Sequence, residues 1–338
     1  MKPIGILGAG SWGTALAVHL ATHGGHPVRL WARREELAAG LARERVNADY
    51  LPGVELPAAV EVTADLGALV DCQPVLVVVP SHGFRDLVRR FLRAVPADAS
   101  VDLVSATKGI ETETGARMSQ VTFEEGMAAD REVRFAVLSG PTFAAELARG
   151  MPSAAVVAAE ESDLAGRLRE RLATPRLRLY SSSDVVGVEL GGTAKNVIAI
   201  AAGTLTGLGL GHNTLAALIT RGLHEVTRLG IACGGQARTF AGLAGLGDLV
   251  LTCTGGLSRN RRTGIELARG KSLAEIQGET HMVAEGIRNS LSIQRLARER
   301  GVEMPITEQM VEVLYHGKSP QKALDDLMSR ELKEEAEL

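Results

Sequence analysis

Two groups of residues in this sequence could do chemistry, of different kinds. The first is Gly8-x-Gly10-x-x-Gly13, set between the apolar run Ile4, Ile6, Leu7 and a helical pattern (Thr14, Leu16, Ala17, Val18, Leu20, Ala21) that closes at Gly24-Gly25. Between a strand and a helix this spacing holds a dinucleotide. Gly8 permits the tight turn, Gly10 lets backbone approach a pyrophosphate, and Gly13 lets the helix pack on the strand. The anion then sits on N–H groups at the positive end of the helix. The second is Lys195. Between Val185 and Leu210 only Glu189 and Lys195 are charged, so this helix is apolar nearly all round and is predicted to be buried. A buried ammonium needs a partner or a task. It could pair with Glu189 or a distant acid, or it could transfer a proton, which desolvation assists.

Three further stretches carry charge in informative places. Arg259 lies in Gly255-Gly-Leu-Ser-Arg-Asn-Arg-Arg262, glycines followed by donors at a helix start. That suits an anion, since guanidinium binds phosphate in two-pronged fashion, although a solvated basic turn reads the same way. Asp248, in Leu243-Ala-Gly-Leu-Gly-Asp248-Leu, could orient a catalytic lysine or cap a helix, and the cap is the simpler expectation. Arg33-Arg34 follows the second apolar run, where an arginine accommodates the 2′-phosphate of NADP and an acid would bind the ribose of NAD. The arginines point to NADP, with NAD left open; with Glu35-Glu36 behind them, they could also be a charged helix start on the surface. His19, His23 and His26 have helix-face spacing but lie at the far end of the nucleotide helix without an acid or cysteine, so no metal is expected. No GxSxG, HExxH or CxxC motif supports hydrolase chemistry.

The elements that must position these residues follow from apolar runs at Val28–Ala32, Val75–Val79, Val101–Ser105, Phe135–Leu138, Ala154–Ala159 and Leu177–Tyr180, alternating with helical patterns. This predicts an α/β Rossmann domain with a doubly wound, mostly parallel sheet. Tyr50–Gly53 reads as a turn. Near Ser181–Asp184 the texture changes, and helical periodicity takes over at Val185–Thr206, Thr214–Gly230, Ala244–Thr252, Arg261–Arg269, Glu285–Arg300, Thr307–Tyr315 and Pro320–Met328. The expected domains are 1–184, binding nucleotide, and 185–338, all-helical and binding substrate, with a solvated acidic tail from Glu331.

A length of 338 residues is enough for about two domains, and a net charge of −3 argues against nucleic acid as a partner. Cys72, Cys233 and Cys253 are odd in number and widely spaced, as reduced thiols would be. No signal peptide is visible, and the least charged stretch, Asn196–Leu210, is shorter than the ~18 apolar residues of a membrane span. A soluble, cytoplasmic protein without membrane insertion is expected.

Specific segments run through nearly the whole chain: GAGSWGTALA (8–17), YLPG (50–53), VPSH (79–82), ATKGIE (106–111), SGPTFAAE (139–146), ELGGTAKNVIAIAAG (189–203), GLAGLGDLVLTCT (242–254), SRNRRTG (258–264), EG (285–286), MPITEQMVEVLYHGKSP (304–320) and SRELKEE (329–335). In this order they resemble the bacterial NAD(P)-dependent sn-glycerol-3-phosphate dehydrogenases. The resemblance implies reversible NAD(P)H-dependent reduction of dihydroxyacetone phosphate to sn-glycerol 3-phosphate, feeding phospholipid synthesis, with no metal. By position it implies Lys195 as proton donor and acceptor at the C2 oxygen. It implies a substrate shell of Lys108, Gly140, Thr142, Asp248, Ser258, Arg259 and Asn260. The implied cofactor contacts are Ser11, Trp12, Arg33, Lys108, Ala144, Arg259, Val283 and Glu285, with Arg34 and Tyr50 beside them. Thr142 stands where the family usually has Ser, which keeps the hydroxyl, and Ala284 where Val or Ile is frequent, a packing change. A helical second domain often supplies a dimer interface, so a homodimer is expected. A hydroxy-acid dehydrogenase on the same plan would need a histidine–acid pair that the second domain lacks, and a non-catalytic NADPH sensor would have no reason to bury Lys195.

Overall fold

The computed structural model describes residues 2–278, 284–332 and 334–335. The chain divides into two units, Met1–Lys108 with Ala116–Val185, and Gly109–Gly115 with Val186–Leu338.

The first unit is built on strands β1 (Ile4–Leu7), β2 (Val28–Trp31), β3 (Val46–Asn47), β4 (Leu51–Glu55), β5 (Val60–Thr63), β6 (Val75–Val77), β7 (Val101–Ser105), β8 (Val133–Ser139), β9 (Ser153–Ala158) and β10 (Leu177–Ser182). Eight of them form one sheet in the order β10-β9-β8-β7-β6-β1-β2-β5. All neighbours run parallel except β8 and β9, which pair antiparallel. The central β1, β6 and β7 are buried at every position, as strands covered on both faces are, and β6 is apolar throughout. Helices α1 (Ser11–Gly24), α2 (Glu35–Glu44), α3 (Phe84–Ala94), α4 (Met118–Ala129), α5 (Ala144–Ala148) and α6 (Ser162–Leu172) connect them. As predicted, α1 ends at Gly25, which takes the left-handed conformation and donates to Leu20 O.

Three strands were not expected. Tyr50–Gly53 is not simply a turn: Leu51–Glu55 pairs with Val46–Asn47 as a short antiparallel hairpin. Val60–Thr63 adds an edge strand beside β2. All three are short and carry exposed or half-buried positions, so none shows a long apolar run.

The second unit is helical: α7 (Val185–Gly207), α8 (His212–Ala232), α9 (Ala237–Phe240), a π-helical turn at Leu243–Gly247, α10 (Asp248–Thr254), α11 (Arg259–Ala268), α12 (Leu273–Gly278), α13 (Glu285–Glu299), α14 (Pro305–Tyr315) and α15 (Pro320–Met328). Its core gathers Val197, Ile198 and Ile200 of α7 with Leu229 of α8, Ile293 of α13 and Met310 of α14. Helix α7 has 23 residues and is long and apolar enough to cross a membrane, longer than the stretch the sequence analysis measured. Yet 94% of its most apolar window is buried inside the fold, so it reads as a core helix. Backbones touch where α7 meets α11: a Cβ on Gly203 would lie 2.0 Å from Arg261 O, and one on Gly264 2.0 Å from Ile200 O. Only glycine fits at either position. The segment Gly109–Gly115, placed in the first domain by the sequence reading, belongs with this unit. Ile110 is buried in its core, and Arg295 Nη1 donates to Glu113 O at 2.8 Å.

Candidate active site

In the first unit the glycine turn has the form its spacing predicts. Gly8 takes φ +126°, and a Cβ on it would lie 2.3 Å from Val78 O; one on Gly13 would lie 1.8 Å from Gly8 O. A side chain on Gly13 would push α1 away from the end of β1, and one on Gly8 would strain a left-handed backbone and strike the chain just after β6. Gly10 differs, because a Cβ there would meet nothing within 4 Å. That open space adjoins the start of α1, which no side chain caps, so the helix presents its positive end uncompensated. Ser11 and Trp12 begin the helix, and the Trp12 indole N–H is buried with no hydrogen-bond partner among the described residues. Burying an unpaired donor costs about 1–3 kcal/mol, which a polar ligand can offset. Open space over Gly10, a bare helix start and an orphaned indole N–H fit a dinucleotide.

Sequence reasoning missed Asn47. It is 1% exposed, and its Nδ2 donates to Ala9 O at 2.9 Å and Thr14 Oγ1 at 2.8 Å, fastening the β3–β4 hairpin onto the glycine turn. No periodicity marks it. Arg33 follows β2, whose end lies in register with β1 at Leu7 and Trp31, so it stands at the same end of the sheet as the glycines. Arg33 and Arg34 are exposed. Arg34 is the cap residue of α2, with Glu35 and Glu36 in the first turn, where carboxylates suit the helix dipole. The surface-helix alternative therefore describes Arg34 and the glutamates, while Arg33 stands ahead of the cap. Arg34, Asn47 and Asp49 line a cavity of about 280 Å³, and Tyr50 follows them half-buried.

Lys108, after β7, donates through Nζ to Gly140 O at 3.1 Å, and Thr142 Oγ1 donates to the same oxygen at 3.3 Å. The structure thus brings these three together at the carboxyl ends of β7 and β8, with Ala144 at the start of α5 just beyond. Of the three histidines, His19 is structural: its Nδ1 bonds Leu147 O and its Nε2 bonds Thr174 Oγ1. Burial lowers its pKa, favouring the neutral ring. Among the described residues no group of three or more His, Cys, Asp or Glu could hold a metal ion.

In the second unit Lys195 is 6% exposed, on the buried helix that predicted it. Its Nζ donates to Asp248 Oδ1 at 2.5 Å and to Thr252 Oγ1 at 2.7 Å. Asp248 does not cap a helix, contrary to the simpler expectation. The cap position is Gly247; Asp248 is the first residue of α10 and turns its carboxylate to the lysine. The distant acid is therefore Asp248, 53 positions along the chain. Thr252 was also missed. Its hydroxyl donates to Asp248 O at 2.6 Å, the common threonine bond to the preceding turn, and so offers a fixed oxygen to Lys195. Cys253, next to it, is buried, and desolvation pushes its thiol up to about 12, which leaves it inert as a nucleophile.

The start of α11 supplies donors, and the helix begins two residues earlier than predicted. Ser258 caps it, accepting from Arg261 N at 3.2 Å. Asn260 is a fastener as well as a candidate ligand: Nδ2 donates to Asn196 Oδ1 at 2.9 Å, and Oδ1 accepts from Gly286 N at 3.0 Å. These bonds hold α7, α11 and α13 together, and Asn196 was not singled out in the sequence. Arg259 keeps accessible surface, yet neighbouring protein desolvates its guanidinium and pulls its pKa below the usual arginine value. Glu285, the first residue of α13, opposes that shift. Val283 lies outside the described residues.

Comparison with known proteins agrees with this geometry. The family description NAD-dependent glycerol-3-phosphate dehydrogenase N-terminus matches residues 3–165, and the corresponding C-terminus matches 184–325. A glycerol-3-phosphate dehydrogenase (NAD(P)+) of Koribacter versatilis is 52% identical over 332 residues, covering 98% of each chain. One from Citrifermentans bemidjiense is 51% identical over 335 residues, 99% of each. The crystal structure of glycerol-3-phosphate dehydrogenase from Coxiella burnetii superposes with a TM-score of 0.92 at 41% identity, over 97% of this chain and 99% of that one.

Proposed function

The chain belongs to the NAD-dependent glycerol-3-phosphate dehydrogenase family, and we propose that Lys195 is its proton donor and acceptor at the substrate C2 oxygen. The enzyme is an oxidoreductase that reduces dihydroxyacetone phosphate to sn-glycerol 3-phosphate with NAD(P)H, reversibly, and supplies glycerophospholipid synthesis. The assignment of roles rests on one observation, the buried Lys195 ammonium held by Asp248 and Thr252.

The nicotinamide, when bound, supplies hydride to C2. As the carbonyl is reduced, negative charge grows on its oxygen, and the Lys195 ammonium stabilises and then protonates it. Asp248 holds the ammonium before the step, while Thr252 fixes its direction. The neutral amine then regains a proton from solvent, and oxidation of the alcohol runs the same path backwards. Arg259 and Asn260 take the phosphate, fixing the distance from its anchor to C2. Lys108, Gly140, Thr142 and Ser258 complete the proposed substrate shell. Cofactor is held by Gly8, Gly10 and Gly13 with Ser11, Trp12, Arg33, Arg34, Tyr50, Lys108, Ala144, Arg259 and Glu285. In this reading the unit of residues 1–108 and 116–185 carries the glycine turn for the nucleotide, the unit of 109–115 and 186–338 carries Lys195 and the phosphate anchor, and the working form is a cytoplasmic homodimer. Its three free cysteines suit a reducing compartment.

Arg259→Ala should lower kcat/KM for dihydroxyacetone phosphate ~10- to 10²-fold, since a hydrogen bond to a charged group contributes about 1.5–3 kcal/mol. The readout is the ratio to phosphate-free dihydroxyacetone, which a lost cofactor contact would leave unchanged. Equal losses on both substrates would remove Arg259 as the phosphate anchor.

Arg33 stands where the 2′-phosphate would lie, so kcat/KM should favour NADPH over NADH ~10-fold or more, each tenfold being about 1.4 kcal/mol. Arg33→Asp should reverse the preference by removing the phosphate partner and supplying an acceptor for the ribose hydroxyl. Both proteins are compared at one ionic strength, because an exposed arginine is screened by salt. An equal preference, unmoved by the substitution, would make Arg33 surface charge only.

A further inference from the structure

The second unit holds a cavity of about 320 Å³ to which none of the proposed catalytic or binding residues contributes. Its walls are apolar: Leu205 of α7, Leu218 of α8, Ile306 and Met310 of α14, and Leu324 and Leu327 of α15. Three charged residues of α8 interrupt them, Arg221, Glu225 and Arg228, spaced to lie along one helix face. Glu225 is 1% exposed, and its two oxygens are already engaged at the start of α14, accepting from Ile306 N at 2.8 Å and Thr307 N at 3.4 Å. The only hydrogen bonds it accepts among the described residues are those two, so it gives the arginines charge and no hydrogen bond. Arg221 Nη1 and Arg228 Nε are both buried without a hydrogen-bond partner among the described residues. Two orphaned guanidinium donors at one apolar cavity are a standing cost, as buried donors without partners each cost about 1–3 kcal/mol.

The surrounding charges do not cancel these arginines. Glu303 is occupied by Arg330 at 3.2 Å, and only its backbone oxygen accepts from Arg228 Nη2, at 3.1 Å. Glu331 lines the outer edge and is exposed. Burial raises the Glu225 pKa to about 7, so near neutrality its carboxyl is only partly ionised and offsets two arginines incompletely. The site therefore pairs residual positive charge with apolar walls.

We propose that this cavity binds a single-chain fatty acid of medium length, with the carboxylate on Arg221 and Arg228 and the chain against Leu205, Leu218, Met310 and Leu327. A carboxylate matches guanidinium geometry, and an alkyl chain matches the walls. The volume lies at the small end of ligand sites, which suits one chain rather than a two-chain lipid.

Isothermal titration of the full-length protein with decanoate, kept monomeric, tests this directly. The expected result is saturable one-to-one binding, with decanol at least ~10-fold weaker because it lacks the charge. Arg221→Met, which keeps the apolar stem, should weaken decanoate ~10-fold or more. Ala217→Trp, a change at an exposed lining residue that adds bulk without altering charge, should abolish binding. Both variants should keep wild-type kcat on dihydroxyacetone phosphate, which shows that they fold. Absence of saturable binding would overturn the proposal, as would equal affinity in all three proteins or equal binding of decanol. So would a native dimer that ignores decanoate and dissociates on either substitution, because the cavity would then be covered by a second copy of the chain.

Discussion

Replacing Lys195 by Met should lower kcat at least ~10²-fold in both directions while leaving NADPH affinity within about twofold of wild type. Methionine keeps an unbranched side chain in the same apolar helix but cannot stabilise or protonate the developing alkoxide. The variant also strands a carboxylate, because Asp248 is 1% exposed and loses its cation. Stability must therefore be followed by denaturant unfolding beside turnover. Cofactor affinity, read by fluorescence titration of NADPH, separates a chemical loss from a folding loss. A Lys195→Met protein with near-normal kcat would remove the lysine from the mechanism.

Asp248→Leu should be the more damaging change to the fold. It leaves an ammonium, 6% exposed, without its carboxylate, and breaking a buried pair from one side typically costs about 3–5 kcal/mol. Combining it with Lys195→Met should recover most of that stability, because two apolar side chains then face each other and no charge is stranded. Activity should not return in the double variant. Urea unfolding of the four proteins gives the coupling energy, and assays of the same four give the chemical effect. Additive losses of stability would show that the pair does not join α7 to α10, and turnover restored in the double variant would assign both residues to structure alone.

Lys195 was legible because its signal is local and contradictory, one ammonium on an apolar helix. The glycine turn was legible for a similar reason, since spacing and flanking periodicity are both short-range. Asp248 stayed open between orienting the lysine and capping, with the cap the simpler expectation, because its environment in the chain, glycines before a helix, is also that of a cap. Its true partner lies 53 positions away, a distance at which no pattern operates. Thr252 and Asn196 look like any polar residue on a helix, and become informative only once α10 and α11 are packed on α7. The β3–β4 hairpin was invisible because two- and five-residue strands with exposed positions carry almost no alternation. What the chain spells out locally is thus the part of the site made by single elements, whereas what needs two elements to meet waits for the fold.

The excursion of Gly109–Gly115 into the helical unit bears on how far these halves are interchangeable. The polypeptide passes from one unit to the other at 108/109, returns at 115/116 and passes again at 185/186. A chimera spliced at the apparent boundary near residue 184 would import a helical half whose core is shaped around somebody else's Ile110. The heritable module is therefore discontinuous: the helical half travels intact only when a short insert from the middle of the nucleotide half travels with it.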